Sequence, residues 1–427
     1  AFCNGRHIAR TSTGRIWVGF NSATQLEFWY SDDDGASFTQ NTSATITATS
    51  EGGFSFFIDV DDHAHVAYQR SGSSQYCRMA NISTGTSWAT SNSISALYDR
   101  WLDIVAFRDG ASWIAVMAAS NGSDMRVYIL TAVDSSPTIS QTLTGMTMLY
   151  PSIDFNHTGD GKTIAGAAPH IYVAGTLGSV IYYVKCTYSG GTYSVGTSRS
   201  LDSSGTKGIP VSHIFDGTRS VVAYTEGANV LIVERDAADT ATTLRTPTAL
   251  SDGTVRNVSV SYYDDGDIHL WAVGTTSDDL KRIVFDRSAG TWDGSWTTVH
   301  TGSVFLSSLT LKRGYSNSTI EAVFLDGTSS PYDVVYESLS LNAAPTAPTW
   351  DAPADNSYND ISSALLLNWT FTDPDAGDTQ SAYALSKSVD GGALTYWNAG
   401  TSAWGASEVE NPTATTSVTL ASSWASD

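Results

Sequence analysis

Four basic residues, Arg6, Arg100, Lys207 and Arg256, stand at or just ahead of apolar runs, in a chain with 22 Lys and Arg against 43 Asp and Glu. A cation at a strand start can hold an anionic sugar or a phosphate, and a guanidinium does so with a two-pronged fork. Aromatic residues lie near the same places: Phe54, Tyr98, Trp101 and Tyr150. Such rings can stack on the apolar face of a sugar. The candidate ligand-binding set is therefore Arg6, Arg100, Trp101, Tyr150, Lys207 and Arg256. The same residues also have a purely structural use, in which each cation pairs with an acid such as Asp99, Asp103 or Asp252 and the aromatics only pack loops.

Other groups invite chemistry less directly. His63 and His65 alternate on one strand close to Asp59, Asp61 and Asp62. That is a metal-ligand pattern, but His65 also occupies a repeated position shared with His170 and His269, which makes it structural. Asp373, Asp375 and Asp378 offer three carboxylates around Gly377, a Ca²⁺ loop or a solvated turn. No Ser-His-Asp order, phosphate loop or Cys-x-x-Cys is present, so no catalytic residue is assigned. If the chain hydrolysed or cleaved a glycan, its acids would come from distant segments, Asp103 or Asp154 among them, with Arg6, Arg100 and Arg256 on an anionic sugar. No cofactor is expected, apart from a possible Ca²⁺. Three cysteines, Cys3, Cys77 and Cys186, are an odd number and read as small buried hydrophobes.

The elements that must position these residues repeat. Seven anchors, Trp17, His65, Trp113, His170, Ser220, His269 and Thr319, open the second strand of seven hairpins at spacings of 48, 48, 57, 50, 49 and 50. Each follows a tight turn such as Arg108-Asp109-Gly110, and a third strand comes about ten to fifteen residues later. Four antiparallel strands per fifty residues describe a propeller blade, and no helical periodicity competes. The expectation is an all-β fold: a seven-bladed β-propeller over residues 1–341. The last blade lacks its fourth strand, so residues upstream of Ala1 are expected to supply it. Strand starts commonly line the mouth of such a ring, where ligands bind.

Composition agrees. Residues are 41% hydrophobic and 15% charged, with 36 Gly for tight turns. A net charge of −21 repels nucleic acid and anionic membrane, so neither is an expected partner. There is no apolar run of membrane-spanning length and no leader-like start. Soluble and extracellular is the expected setting.

One turn is specific. Ser31-Asp32-Asp33-Asp34-Gly35-Ala36-Ser37-Phe38 resembles the Asp-box of sialidases and many other propellers, in which Ser31 and Asp33 bond the turn backbone, Gly35 takes the left-handed position and Phe38 plugs the blade edge. It is a folding device and implies no activity. The Arg-Ile-Pro signature of the sialidases is absent.

At Asn342-Ala343-Ala344-Pro345 the text changes to a Pro-rich joint. Beyond it, Leu365, Leu367, Trp369 and Phe371 alternate as a half-buried strand, and Ser417-Val418-Thr419-Leu420 is another. Residues 342–427 are similar to a fibronectin type III-like sandwich, apparently truncated by two strands. The stretch from Trp369 through Asp373-Pro374-Asp375 to Tyr383, with Tyr396-Trp397-Asn398 and Trp404, resembles the fibronectin-type modules of minor tail proteins from phages of Actinobacteria. That resemblance implies a virion component at the tail tip, a homo-oligomer among other tail proteins. Its propeller would face the host cell-envelope glycan. A secreted lectin, or a glycoside hydrolase or lyase, is the alternative.

Overall fold

A computed structural model describes the chain apart from residues 1–6, 23–24, 48–52, 80–81, 83–87, 89–91, 99, 111, 132–137, 159–161, 167, 209–210, 237–241, 263–266, 303, 312–318, 328–332, 341–348, 353–363, 371–382, 389–392, 408, 410, 412–416 and 421–427. The chain divides into two compact units, Ala1–Leu339 and Ser340–Asp427.

In the first unit, successive antiparallel sheets follow one another along the chain, each a meander paired in sequence order, with a short fifth strand in three of them (Ile46–Thr47, Arg199–Asp202, Thr297–His300) returning to the third. Their leading strands are Ile8–Arg10, Phe54–Ile58, Arg100–Asp109, Leu149–Phe155, Ser212–Phe215, Val255–Tyr262 and Val304–Leu311. The anchor residues lie in the second strands, as at Trp17 opposite Ala9 and His269 opposite Ser261, except that His170 directly precedes Ile171–Leu177. The last of these sheets has three strands among the described residues.

Each leading strand packs against the leading strand of the next sheet, and the first sheet packs against the last. The arrangement is propeller-like. The cores lie between neighbouring sheets: Phe28 on Phe56 at 5.3 Å, Phe107 on Phe155 at 4.9 Å, and Tyr172 stacked on Phe215 at 5.0 Å. All six rings are almost fully buried, each worth roughly 1.5–3 kcal/mol.

Neighbouring leading strands do not pair as a ladder, so their facing N–H groups need other acceptors. One register row supplies them. The Ile104 N–H donates to Ser55 Oγ (3.3 Å), Ile153 N–H to Asp103 Oδ2 (2.9 Å), His213 N–H to Ser152 Oγ (3.1 Å) and Val260 N–H to Ser212 Oγ (3.2 Å). Asp154 repeats the device, accepting from Phe215 N–H at 2.9 Å. Because each bond joins the row residue to the position after the next row residue, the leading strands run the same way. Their starts share one end of the assembly and their ends the other.

The turn at Ser31–Phe38 is knit by its own side chains. Ser31 Oγ accepts from Gly35 N–H (2.8 Å), Asp33 Oδ1 accepts from Ser37 N–H (2.9 Å), and Gly35 has φ +91°. A Cβ on Gly35 would lie 2.0 Å from the Tyr336 ring, against which Phe38 also packs. This turn therefore joins the first sheet to the last.

The 57-residue spacing has a physical cause. Between the first two strands of the fourth sheet, His157 bridges Ile164 in an extra hairpin, and Lys162 Nζ donates to the Arg10 carbonyl at 2.9 Å. The His157 ring meets Phe215 at 5.6 Å and Tyr262 at 6.3 Å. A segment of the fourth sheet thus touches the first, fifth and sixth, lying across the far end.

The second unit holds two three-stranded antiparallel sheets: Thr349–Ala352, Leu365–Thr370 and Ser417–Leu420 in one, Ser386–Lys387, Thr395–Asn398 and Ala403–Gly405 in the other. Leu367, Trp369, Leu385, Trp397 and Leu420 form its core.

Candidate functional site

Toward the end where the leading strands start, register shifts in four of them, in Val304–Leu311 between Phe305 and Thr310 and in three others by a short jump. Pairing jumps from Arg100 to Asp103, from Leu149 to Ser152 and from Val255 to Asn257. A bulge inserts an unpaired residue and re-aims its side chain. The inserted residues include Trp101, Tyr150 and Arg256. Glycines on the partner strands make room: a Cβ on Gly175 would lie 2.6 Å from Leu149 O, and one on Gly274 would lie 2.2 Å from Asp252 O.

Trp101 and Tyr150 have φ of +46° and +55°, whereas every other non-glycine residue with positive φ among those described is Asp or Ser. For a bulky side chain the left-handed region is a true outlier, costing on the order of 1–3 kcal/mol. The two rings touch, with centroids 4.2 Å apart at 47°, and both residues are half-buried. The Asn121–Asp124 turn lies beneath: a Cβ on Gly122 would sit 3.9 Å from Arg100 Nη1 and 4.0 Å from Trp101 Cζ3. Arg100, next to Trp101 in the chain, is exposed, and so is Leu97.

The other sequence candidates sit differently. Phe54 is buried and stacked on His7 at 4.2 Å. Tyr98 is buried, donating its hydroxyl to Asp124 Oδ2 at 2.8 Å under the Arg126 guanidinium. Burial, then the Asp124 carboxylate, push the Tyr98 phenol up, and burial raises Tyr150. Both phenols are therefore neutral donors at pH 7 and not nucleophiles.

Lys207 has no exposed side-chain surface. Its Nζ donates to Asp202 Oδ2 (2.6 Å) and Glu226 Oε2 (3.0 Å), and Tyr224 OH donates to the same Asp202 oxygen (2.7 Å). Burial alone would raise Asp202, but the bonds from Lys207, Ser204 and Tyr224 hold it well below the usual carboxylate range. Arg256 pairs with Asp278 at 2.7 Å. Of the acids named from sequence as partners, Asp252 holds Lys281 at 3.1 Å, Asp103 ties leading strands together, and Asp99 lies outside the described residues. Arg6 and the Asp373, Asp375, Asp378 loop also lie outside them.

Asp59 is fully buried and accepts from His65 Nε2 (2.8 Å) and His63 Nδ1 (3.0 Å), while Tyr76 OH meets His65 Nδ1 at 2.8 Å. Burial would raise Asp59, yet these two histidines hold it below its ordinary range. Both His65 nitrogens are engaged, leaving none for a metal. Among the described residues no group of three or more His, Cys, Asp or Glu is disposed to hold a metal ion. Cys77 and Cys186 are buried free thiols, and burial pushes Cys186 up to about 12.

Sequence reading did not find two clusters. Glu234, almost fully buried, takes Arg219 at 2.8 Å and also Arg245. His300 lies between Asp326 (3.2 Å) and Glu337 (3.0 Å). Their partners come from strands eleven or more residues apart, so spacing gives no signal. The bulges left a weak one, Gly175 and Gly274 at corresponding places in second strands. Where leading strands end, a cleft of about 470 Å³ is lined by Arg10, Arg15, Asp32 and Asp34, whose charges cancel in pairs at 2.8 and 2.6 Å.

Together these features define an all-β, propeller-like protein with a strained aromatic pair at one end. No family model matches the chain, and no curated protein does. Among solved structures, a protein from Lactobacillus plantarum is similar at 14% identity over 70% of this chain and 87% of its own, with a TM-score of 0.49. SapL1 lectin, solved with alpha methyl fucoside, is 9% identical over 70% and 97%, TM-score 0.43. The NanB sialidase from Streptococcus pneumoniae is 12% identical over 79% and 69%, TM-score 0.43. Likenesses this distant transfer neither residues nor activity.

Proposed function

We propose that the first unit is a seven-bladed propeller that recognises host cell-envelope glycan, carried on a fibronectin type III-like module in a phage tail tip. The observation that supports glycan recognition is the Trp101–Tyr150 pair. Two large aromatics are kept in the strained left-handed region on the bulges of neighbouring sheets, and neither is fully buried. A joined aromatic surface open to solvent is what a sugar ring stacks on. The virion role rests on the resemblance at residues 369–404 and the domain boundary near residue 342 on the Pro-rich joint. An enzymatic reading has less support, because Asp103 and Asp154, the acids it would use, are buried acceptors of backbone N–H groups.

The test is to incubate the purified chain with envelope polysaccharide from actinobacterial hosts, reading bound protein and released oligosaccharide in one tube. Binding without release is expected. Release of oligosaccharide would make the protein an enzyme, and binding to none of the polysaccharides would sink the reading. Pre-coating host cells with the chain should also block adsorption of the cognate phage. Unaltered adsorption would remove the virion role while leaving glycan binding intact.

A further inference from the structure

We infer, resting on the glycan reading above, that the mouth selects a neutral sugar by the apolar face of its ring and discriminates against polyanionic glycans. From sequence, the mouth is a set of cations waiting for an anion. The structure pairs off two of those four cations, Lys207 and Arg256, and a further one, Lys281. Lys207 is enclosed by two carboxylates with no side-chain exposure, Arg256 is held by Asp278, and Lys281 is held by Asp252. Each of these cations is matched by at least one acid within 3.1 Å.

Open to solvent at this end are the edges of an aromatic pair and one cation, Arg100. Trp101 and Tyr150 are half-buried, and Leu97 is 71% exposed. The Tyr150 phenol, raised by burial, is a neutral donor. Arg100 lies along the same turn as Trp101, where its guanidinium can donate to sugar hydroxyls as readily as to a carboxylate. Around this patch lies a chain of net charge −21, which repels a polyanion over about one Debye length, roughly 8–10 Å at physiological salt. Stacking on a ring face carries no such penalty, because it depends on C–H groups and not on charge.

The experiment uses the full chain and two probe sets, neutral oligosaccharides of glucose, galactose or arabinose and acidic ones of galacturonate or polyol phosphate. Titration calorimetry is run at low and high NaCl. Neutral probes should bind, with Kd shifting less than about twofold with salt, and Trp101→Ala should weaken them at least about tenfold. Asp278→Asn, which releases Arg256, should leave neutral probes unaffected and raise affinity for acidic ones about fivefold at low salt. Tighter binding of acidic probes that fades with salt would overturn the inference and leave the glycan reading standing. Failure of every probe, with wild-type folding confirmed by thermal unfolding, would overturn both.

Discussion

The far end of the first unit and the turns around Trp101 and Tyr150 differ in where their polar side chains reach. At the end where leading strands finish, links run from sheet to sheet. Ser12 donates from N–H and Oγ to Asp62 of the second sheet at 2.7 and 2.6 Å, Arg108 of the third reaches Asp61 at 3.2 Å, and Lys162 of the fourth reaches Arg10 O in the first. At the mouth, several links stay within one sheet: Tyr98 to Asp124, Arg256 to Asp278, Asp252 to Ser277 and Lys281. Lys207, joining Asp202 to Glu226 across the fourth and fifth sheets, and His300 of the sixth, meeting Asp326 and Glu337 of the seventh, cross between sheets. At the far end Asp61, Asp62 and Lys162 tie sheet to sheet, whereas around Trp101 and Tyr150 the Tyr98–Asp124 link stays within one sheet and leaves two strained rings half-exposed. One end is built for cohesion and the other for contact.

The row of leading-strand acceptors belongs to the cohesive side of that comparison, and Asp103 is its most heavily used member. It accepts from Ser55 Oγ, Ile104 N–H and Ile153 N–H while fully buried. Asp103→Ala removes the acceptor of the buried Ile153 N–H and of the Ser55 hydroxyl, so it should cost about 3–5 kcal/mol and read out as a lower denaturant midpoint. A midpoint within error of wild type would show that the row does not hold the sheets together.

Trp101→Gly tests the other side. Glycine accepts φ near +46° without strain, which offsets the lost packing, so stability should change by less than about 1 kcal/mol. Glycan binding should fall by about 1.4–3 kcal/mol, tenfold or more. If binding and stability fell together, the ring would be core and the contrast between the ends would collapse.

Acid sharpens the comparison further. Burial holds His7 down to about 4 and His269 to about 3, the latter helped by the Arg282 charge. The folded state keeps both neutral while the unfolded chain protonates them near pH 6.5, so the unfolded state binds more protons and stability falls as pH drops from about 6.5 toward 4. The slope should be on the order of 1 kcal/mol per pH unit per histidine. His7 stacks on Phe54 and donates to its carbonyl at 3.2 Å, joining the first two sheets. His7→Gln should flatten the acid limb of a Tm-against-pH curve, and an unchanged limb would assign the acid lability elsewhere.

Much of this was legible in the chain, and the reason it was partial is physical. Hairpins repeat because every sheet needs the same alternation of apolar strand and tight turn, so Trp17, Trp113 and His269 could be aligned from residue types alone. The acceptor row could not: Ser55, Ser152 and Ser212 share a letter, but Asp103 breaks the series and serine is too common in this chain to mark a position. The bulges at Trp101 and Tyr150 are facts of register, which residue types do not encode. Cation partners were misassigned for a related reason: Asp278 and Asp202 come from turns that meet Arg256 and Lys207 only after folding. The far-end hairpin did leave a trace, the one spacing of 57 among values of 48 to 50.

That hairpin gives the smallest and most selective test. Lys162 is buried, and its Nζ bond to Arg10 O links the fourth sheet to the first at the end opposite the aromatic pair. Lys162→Met keeps the apolar stem, removes the donor and leaves one carbonyl to find water, a loss of about 1 kcal/mol. Because the mouth lies at the other end of the leading strands, glycan affinity should be unchanged to within about twofold even as the unfolding midpoint falls. A variant that unfolds normally but binds glycan less well would mean that the far end reaches the mouth through the body of the sheets, and the division between cohesion and contact would have to be redrawn.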